Sequence, residues 1–229
     1  MNETERIAAA YRKLEATAGS RYDLRNRGNQ QMLEERRRLA KRLLDRAGWI
    51  PLGDRRVLEV GSGTGAELAW MLNLGASPSR LLGVDLLPDR VTAARYAYPK
   101  IEFREANAER LDFSDASQDL VMAITVFSSI LDESMAANVA AEIHRVIRPG
   151  GALLWYDFRY DSPANRNVRG VGGRRVRELF PKLKGKLYSV TVLPPLVRRL
   201  GPLTTAAYPV LAVVPPLRSH LLGLLQKPA

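Results

Sequence analysis

Cysteine is absent from this chain of 229 residues, and histidine occurs only twice. No disulfide can form, no thiolate can hold a metal and no cysteine can serve as a nucleophile. The absence leans toward a reducing, cytoplasmic setting, and no metal site is expected. No run of about 18 apolar residues occurs, so no helix is expected to cross a membrane. The opening segment MNETERIAAAYRKLE is charged throughout and lacks the apolar stretch of a secretion signal, so none is expected there. Acidic residues are scarce in one region only. Residues 1–158 hold 22 basic and 22 acidic side chains, whereas residues 159–229 hold 13 basic ones against Asp161 and Glu178. The entire net charge of +11 therefore comes from the last third. Such asymmetry suits an anionic substrate, a membrane surface or nucleic acid, and equally a solvated basic surface that aids solubility.

What is present is an alternation of short apolar runs with amphipathic stretches. Residues 3–18 and 30–47 read as helices, the second with Leu33, Leu39, Leu43 and Leu44 roughly on one face. The link 21–30 between them is polar, with Gly28 as a breaker. VLEV (57–60) reads as a buried strand running into a glycine turn, then a helix that stops at Gly75. The pattern recurs in RLLGVDLL (80–87), IEFREANA (101–108), DLVMAITVF (119–127) and PGGALLWYDF (149–158), with helices between most of them. Strands alternating with helices imply a doubly wound α/β domain, a parallel sheet covered on both faces. Beyond Phe158 the chain turns arginine-rich, then gives a short helix near 173–180, a strand at 186–193 and an apolar stretch broken by prolines. The closing HLLGLLQKP is ambiguous between strand and helix.

The first strand leads straight into Gly61-Ser62-Gly63-Thr64-Gly65. In a doubly wound sheet this turn lies at the carboxyl edge, where ligands bind, and glycines let a ligand lie against bare main chain. The next strand ends at Asp85, 24 residues after Gly61. A carboxylate there can accept hydrogen bonds from both hydroxyls of a ribose. Together they indicate a ligand containing adenosine. Spacing alone leaves NAD and S-adenosylmethionine (SAM) both open, because Gly61-x-Gly63-x-x-Ala66 also fits the dinucleotide pattern.

A resemblance separates the two. VLEVGSGTG (57–65) resembles the first motif of the class I SAM-dependent methyltransferases, with Glu59 at the acidic position before the glycines. GVDLLPDRV resembles the second motif of that family, EANAERLDF the adenine-holding segment, and SQDLVMAITVFSSIL with AAEIHRVIRPGGALLWYDF the fourth strand and the helix–PGG–fifth strand. The likeness covers about residues 55–158, in order. More loosely, the remainder resembles the type 11 kind of bacterial enzyme associated with sugars, lipids and natural products. The resemblance implies SAM as cofactor, and a Rossmann-like sheet of seven strands, mostly parallel, with an antiparallel last strand. It divides the chain into N-terminal helices serving as a lid (1–48) and the methyltransferase domain (49–229), whose residues 159–217 contain a cap on the acceptor side. It places Gly61 and Gly63 under the methionine part of SAM, Glu59 at its ammonium, Asp85 on the ribose, Leu86 against adenine, Asn107 and the Ala108 amide at the adenine edge, and Thr125 near the methionine. Asn107 stands where the family usually has aspartate, and its amide oxygen can still accept from the adenine amino group.

Methyl transfer is an in-line displacement, so the protein mainly aligns donor and acceptor. On the family topology, residues 159–178 and about 194–217 overlie SAM. The first segment carries Arg159, Arg169 and Arg174, and the second is apolar. An apolar cap rimmed by guanidinium groups suits a small acceptor with a greasy body and an anionic group. Asp157, at the end of the fifth strand, is the first candidate for a general base, with a structural carboxylate paired to an arginine as the other reading. Tyr22 and Asn26 are candidates for a lid. The expected activity is methylation of oxygen on a sugar, glycolipid or natural-product intermediate. The alternatives are an RNA methyltransferase, disfavoured because TVFSS replaces the Asn/Asp-Pro-Pro-aromatic signature, and a non-catalytic SAM-binding protein or one seated peripherally on a membrane surface.

Overall fold

A computed structural model describes residues 2–19, 21–162 and 165–229, together with the side chains of all of these except Ala18. Seven strands form one sheet in the order β3-β2-β1-β4-β5-β7-β6. They are β1 (Val57–Val60), β2 (Leu81–Asp85), β3 (Glu102–Glu105), β4 (Gln118–Ile124), β5 (Ile147–Phe158), β6 (Leu187–Val192) and β7 (Arg218–Gln226). Strands β1 to β5 pair in parallel, and β7 runs antiparallel to both β5 and β6. The closing segment, ambiguous by periodicity, is thus a strand. Its residues alternate between the two faces, a pattern that only the pairing with β5 and β6 reveals.

The helices are α1 (Glu3–Ala18), α2 (Arg27–Arg46), α3 (Ala66–Trp70), α4 (Pro88–Ala97), α5 (Glu133–Val146), α6 (Gly173–Leu179), α7 (Pro194–Val197) and α8 (Thr204–Ala212). Successive strand residues point to opposite faces, and the core divides accordingly. Val121 and Ala123 of β4, with Trp155 of β5, pack under α5, α6 and Ile7 of α1. Leu120 and Met122, with Tyr156, pack under α2, α3 and α4. A third, smaller cluster joins Met32 of α2 to Val192, Val197, Tyr208 and Ala212, seating the α7–α8 cap on the amino-terminal half of α2.

Several boundaries differ from the sequence reading, each for a local reason. Helix α2 begins at Arg27 because the Asn26 side chain accepts from the Gly28 and Asn29 amides, an N-cap. Gly28, read as a breaker, lies inside the first turn, where a Cβ would stand 2.6 Å from the Val197 carbonyl oxygen. It permits the close approach of α7. Strand β3 ends at Glu105 rather than running to Ala108, because the Asn107 side chain accepts from the Glu109 amide and turns the chain.

Candidate functional site

The glycine turn is built from left-handed backbone. Gly61, Gly63 and Gly65 have φ of 67°, 52° and 82°, a region closed to most side chains. Gly65 is doubly constrained, since a Cβ there would lie 2.5 Å from Phe103 Cζ. Asp85 and the turn are bonded directly. Its Oδ2 accepts from the Gly63 amide at 2.7 Å and its Oδ1 from Leu87 at 2.9 Å. The carboxylate therefore fixes the turn and retains further lone pairs toward the edge.

Glu59 lies one residue before the end of β1 and is 2% exposed. Its Oε2 has no hydrogen-bond partner, and burial pushes its carboxyl well above the ordinary value. An orphaned carboxylate oxygen behind bare main chain calls for a cationic group. From the opposite side α2 contributes Arg36, whose guanidinium pairs with Glu67 at 2.6 Å, lies 4.9 Å from the Tyr156 ring centre and leaves a buried Nε unpartnered. An unpartnered acceptor and an unpartnered donor within one cluster fit the ammonium and carboxylate of an amino-acid zwitterion. The residues present thus fit the methionine end of SAM.

The end of β4 is strained. Thr125 has φ of 56°, and its amide donates to the Tyr156 carbonyl at 2.7 Å. Such a conformation in a β-branched residue is uncommon and clusters at working sites. Beyond it, Ser128 donates its amide to Asp157 Oδ2 at 3.0 Å, and Phe158 donates to Oδ1 at 2.8 Å. Asp157 is fully buried, and burial pushes its carboxyl up to about 6. It has main-chain partners in place of the expected arginine, and it ties the segment after β4 to the end of β5.

Helix α1 closes over this edge. Tyr11 bonds Ser129 Oγ through its hydroxyl at 2.9 Å, and the Arg90 guanidinium sits 4.2 Å from the Tyr11 ring centre. Burial raises the Tyr11 hydroxyl, with Asp85 and Asp157 both near enough to add to the effect. Arg90 also pairs with Glu15 at 2.8 Å, and Glu3 accepts from the Leu131 amide at 2.6 Å. The covering is therefore made by Tyr11 and Glu15, not by Tyr22 and Asn26. Tyr22 is 55% exposed, and Asn26 caps α2 and donates to the Arg198 carbonyl.

The remaining sequence candidates are dispersed. Leu86 and Ala108 are half-buried against the core on the α5 face. Arg159 donates to Ser189 Oγ at 2.7 Å beside the end of β5. Arg169 pairs with Glu133, and Arg174, 93% exposed in its side chain, pairs with Glu178 along α6. The Arg169 amide also donates to the Ser128 carbonyl at 2.9 Å, which holds this residue beside the segment that follows β4, whereas Arg174 lies on α6. Pro163 and Ala164 of the expected acceptor-side segment lie outside the described residues. Among the described residues no cluster of metal-binding side chains occurs, and no helix is long and apolar enough to cross a membrane.

Sequence reading missed Tyr11, Arg36 and Arg90. Arg36 stands in the run EERRR, which reads as a solvated charged face. Only the orientation of α2 shows that two arginines of the run, Arg36 and Arg37, turn toward Glu67.

Comparison with known proteins matches this geometry to a family. A model described as a methyltransferase domain matches residues 58–155. A demethylmenaquinone methyltransferase of Chlorobaculum parvum is 38% identical over 57% of this chain and 51% of its own length. That of Deinococcus radiodurans is 32% identical over 81% of this chain and 76% of its own. Against the first of these relatives the chain thus spans about half the length. A SAM-dependent methyltransferase from Mesorhizobium loti shares the fold, with a TM-score of 0.60 at 18% identity over 82% of this chain and 98% of its own. The acid-and-glycine turn, the sheet order with its reversed last strand, and these likenesses agree: the chain belongs to the class I SAM-dependent methyltransferases.

Proposed function

We propose that this chain transfers a methyl group from SAM to an oxygen atom of a small-molecule acceptor. The observation that carries the reading is the unpartnered Glu59 oxygen behind the open main chain of Gly61 and Gly63, with Asp85 clamped onto the same turn. When bound, SAM supplies a methyl group already activated by its sulfonium. The protein's own residues then have three tasks. Glu59 and Arg36 take the two charged ends of the methionine part. Asp85 offers its free lone pairs to the ribose, with Leu86, Asn107, Ala108 and Thr125 bordering the rest of the ligand. Tyr11, Ser129 and Arg90 exclude water once α1 is closed, which strengthens every polar contact beneath them. Arg159 beside the end of β5 and Arg169 beside the segment after β4 are the arginines for an anionic group on the acceptor, a sugar, lipid-linked or natural-product intermediate.

Calorimetry with SAM and with its demethylated product tests the reading, with NAD as the control. Saturable heat from the first two and none from NAD is expected, and the reverse pattern would sink it. Weakened SAM binding in Glu59→Gln, with the fold retained, would tie the effect to this site.

A peripheral membrane seat is a second part of the proposal, favoured by one feature of the cap. Leu203, Val210 and Val213 on and beside α8 are 68%, 67% and 75% exposed, next to Val214 at 41%. Apolar side chains so placed, in a third of the chain with 13 basic residues against two acids, suit an anionic bilayer surface. Flotation with phosphatidylglycerol vesicles, lost in Val213→Asp and absent with phosphatidylcholine alone, is the expected result.

A further inference from the structure

The residue of most interest outside the SAM cradle is His220. It lies on β7 opposite Phe158, where β5 reaches the carboxyl edge, and it points to the face covered by α2. The imidazole stacks on Tyr156 at 4.7 Å with 8° between the planes, and touches Phe158 with ring centres 4.0 Å apart. Arg36, which stacks on the other neighbour Tyr156 and lies near Glu59, also acts on His220 electrostatically, as does Arg198 from the cap. The histidine is thus next to the methionine end of the cradle, with Tyr156 between them.

Its tautomer is set by a chain of hydrogen bonds. Ser219 Oγ carries a single proton and donates it to the Thr191 carbonyl at 2.9 Å. Toward His220 Nδ1, 2.8 Å away, the same oxygen can only accept, so Nδ1 bears the ring proton. Nε2 is left with a bare lone pair. It has no partner among the described residues, and it is not among the sealed unpartnered atoms. Thr191 is held for this purpose in an unusual way. It has φ of 62°, its amide donates out of the sheet to Glu35 Oε2 at 2.7 Å, and its hydroxyl bonds Tyr156 at 2.9 Å. Glu35 thereby fixes Thr191, Thr191 fixes Ser219, and Ser219 fixes the ring. Glu35 also accepts from the Tyr208 hydroxyl, so it braces the cap as well, yet the left-handed backbone of Thr191 and the single orientation it imposes on the imidazole are hard to account for as packing alone. Asp157, by contrast, has both oxygens on main-chain amides and lies on the opposite face.

Resting on the methyl-transfer reading and deepening it, we propose that Nε2 of His220 accepts a hydrogen bond from the acceptor's hydroxyl and so selects acceptors that present an O–H over those that present a carboxylate. The proton stays on the acceptor oxygen in the bound state. An imidazolium at this place would be desolvated and would face Arg36 and Arg198, so the ring remains an acceptor across the neutral range. A carboxylate would set lone pairs against the Nε2 lone pair, whereas a hydroxyl satisfies it. The aromatic neighbours Tyr156 and Phe158 suit a planar ring beside the hydroxyl.

Nitrogen-15 NMR of the full chain tests this without knowledge of the natural acceptor. With two histidines in the chain, His144→Gln leaves a single imidazole to follow. Phenol is the probe, with anisole and benzoate as the donor-free and anionic controls, each with and without the demethylated product of SAM. Nε2 is expected in its unprotonated position and should move toward the protonated one with phenol only. Phenol affinity should fall about tenfold in His220→Phe and recover in part in His220→Gln, which restores an acceptor at that position. An Nε2 that carries the proton, an equal response to anisole, or undiminished phenol binding in His220→Phe would overturn the proposal. Failure of the wild type to bind SAM in calorimetry would instead remove the methyl-transfer reading, while the histidine spectra without cofactor would still decide the hydrogen bond.

Discussion

Acidification should destabilise this protein through His220 by an amount that can be worked out in advance. The imidazole is 3% exposed, and burial, aided by Arg36 and Arg198, pulls it down to about 3 from an ordinary value of 6.5. A base whose folded value is lowered contributes its full stability above about pH 6.5. That contribution is lost as the pH falls, because the unfolded chain binds a proton that the folded chain refuses. Between the two values the slope is about 1.4 kcal/mol per pH unit, so lowering the pH from about 7.5 to 5 should remove about 2 kcal/mol. Asp157, pushed up to about 6, works in the opposite direction, since its burial favours the protonated form. Glu59, whose carboxyl burial also raises, acts in the same direction as Asp157, so the wild-type curve alone mixes these contributions. Urea unfolding of the wild type and of His220→Gln across this range isolates the histidine. The difference between the two stabilities should shrink, or change sign, by about 2 kcal/mol from the neutral to the acid end. Parallel curves would show that the ring titrates normally in the folded state and would refute the argument from burial.

Gly65→Ala should lower stability by about 3 kcal/mol, seen as a fall of roughly 10 °C in thermal melting, since the new Cβ meets both a left-handed backbone and the Phe103 ring. Glu59→Gln should weaken SAM binding about tenfold while raising the melting temperature of the ligand-free protein above neutral pH, because it removes a buried carboxylate that the fold prefers protonated. Unchanged SAM affinity together with a lower melting temperature would contradict that assignment. Glu35→Ala should cost about 2 to 4 kcal/mol in chemical denaturation, as the Thr191 amide and the Tyr208 hydroxyl both lose the oxygen they share. An effect under about 0.5 kcal/mol would place Glu35 among surface residues.

The division of the fold between local and distant causes is visible in particular residues. The glycine turn and Asp85 were legible because they are short-range. Left-handed backbone after a buried strand demands glycine, and the carboxylate that clamps the turn closes the very next strand. The first five strands and α5 were legible for a related reason, since period-2 and period-3.6 apolar patterns report burial directly. The ends of α2 and β3 were less so, because capping by Asn26 and the turn at Asn107 depend on side-chain choices that periodicity does not register.

The sequence by itself determined the first five strands and the glycine turn, and through the likeness of its motifs it pointed to the family. The strands and the turn follow from which residues tolerate burial and left-handed backbone, properties each residue carries with it. Only the tertiary structure decided that α1 closes over the edge through Tyr11, that Arg36 and Arg37 of a charged run both turn toward Glu67, and that Arg169 and Arg174 pair with Glu133 and Glu178. It alone also joined Glu35, Thr191, Ser219 and His220, the first and last of them 185 positions apart, into one hydrogen-bonded line. The physical reason is that the partners of a polar side chain are chosen by helix orientation and strand pairing, and a pattern of hydrophobicity fixes which face is buried without fixing which neighbour that face will meet.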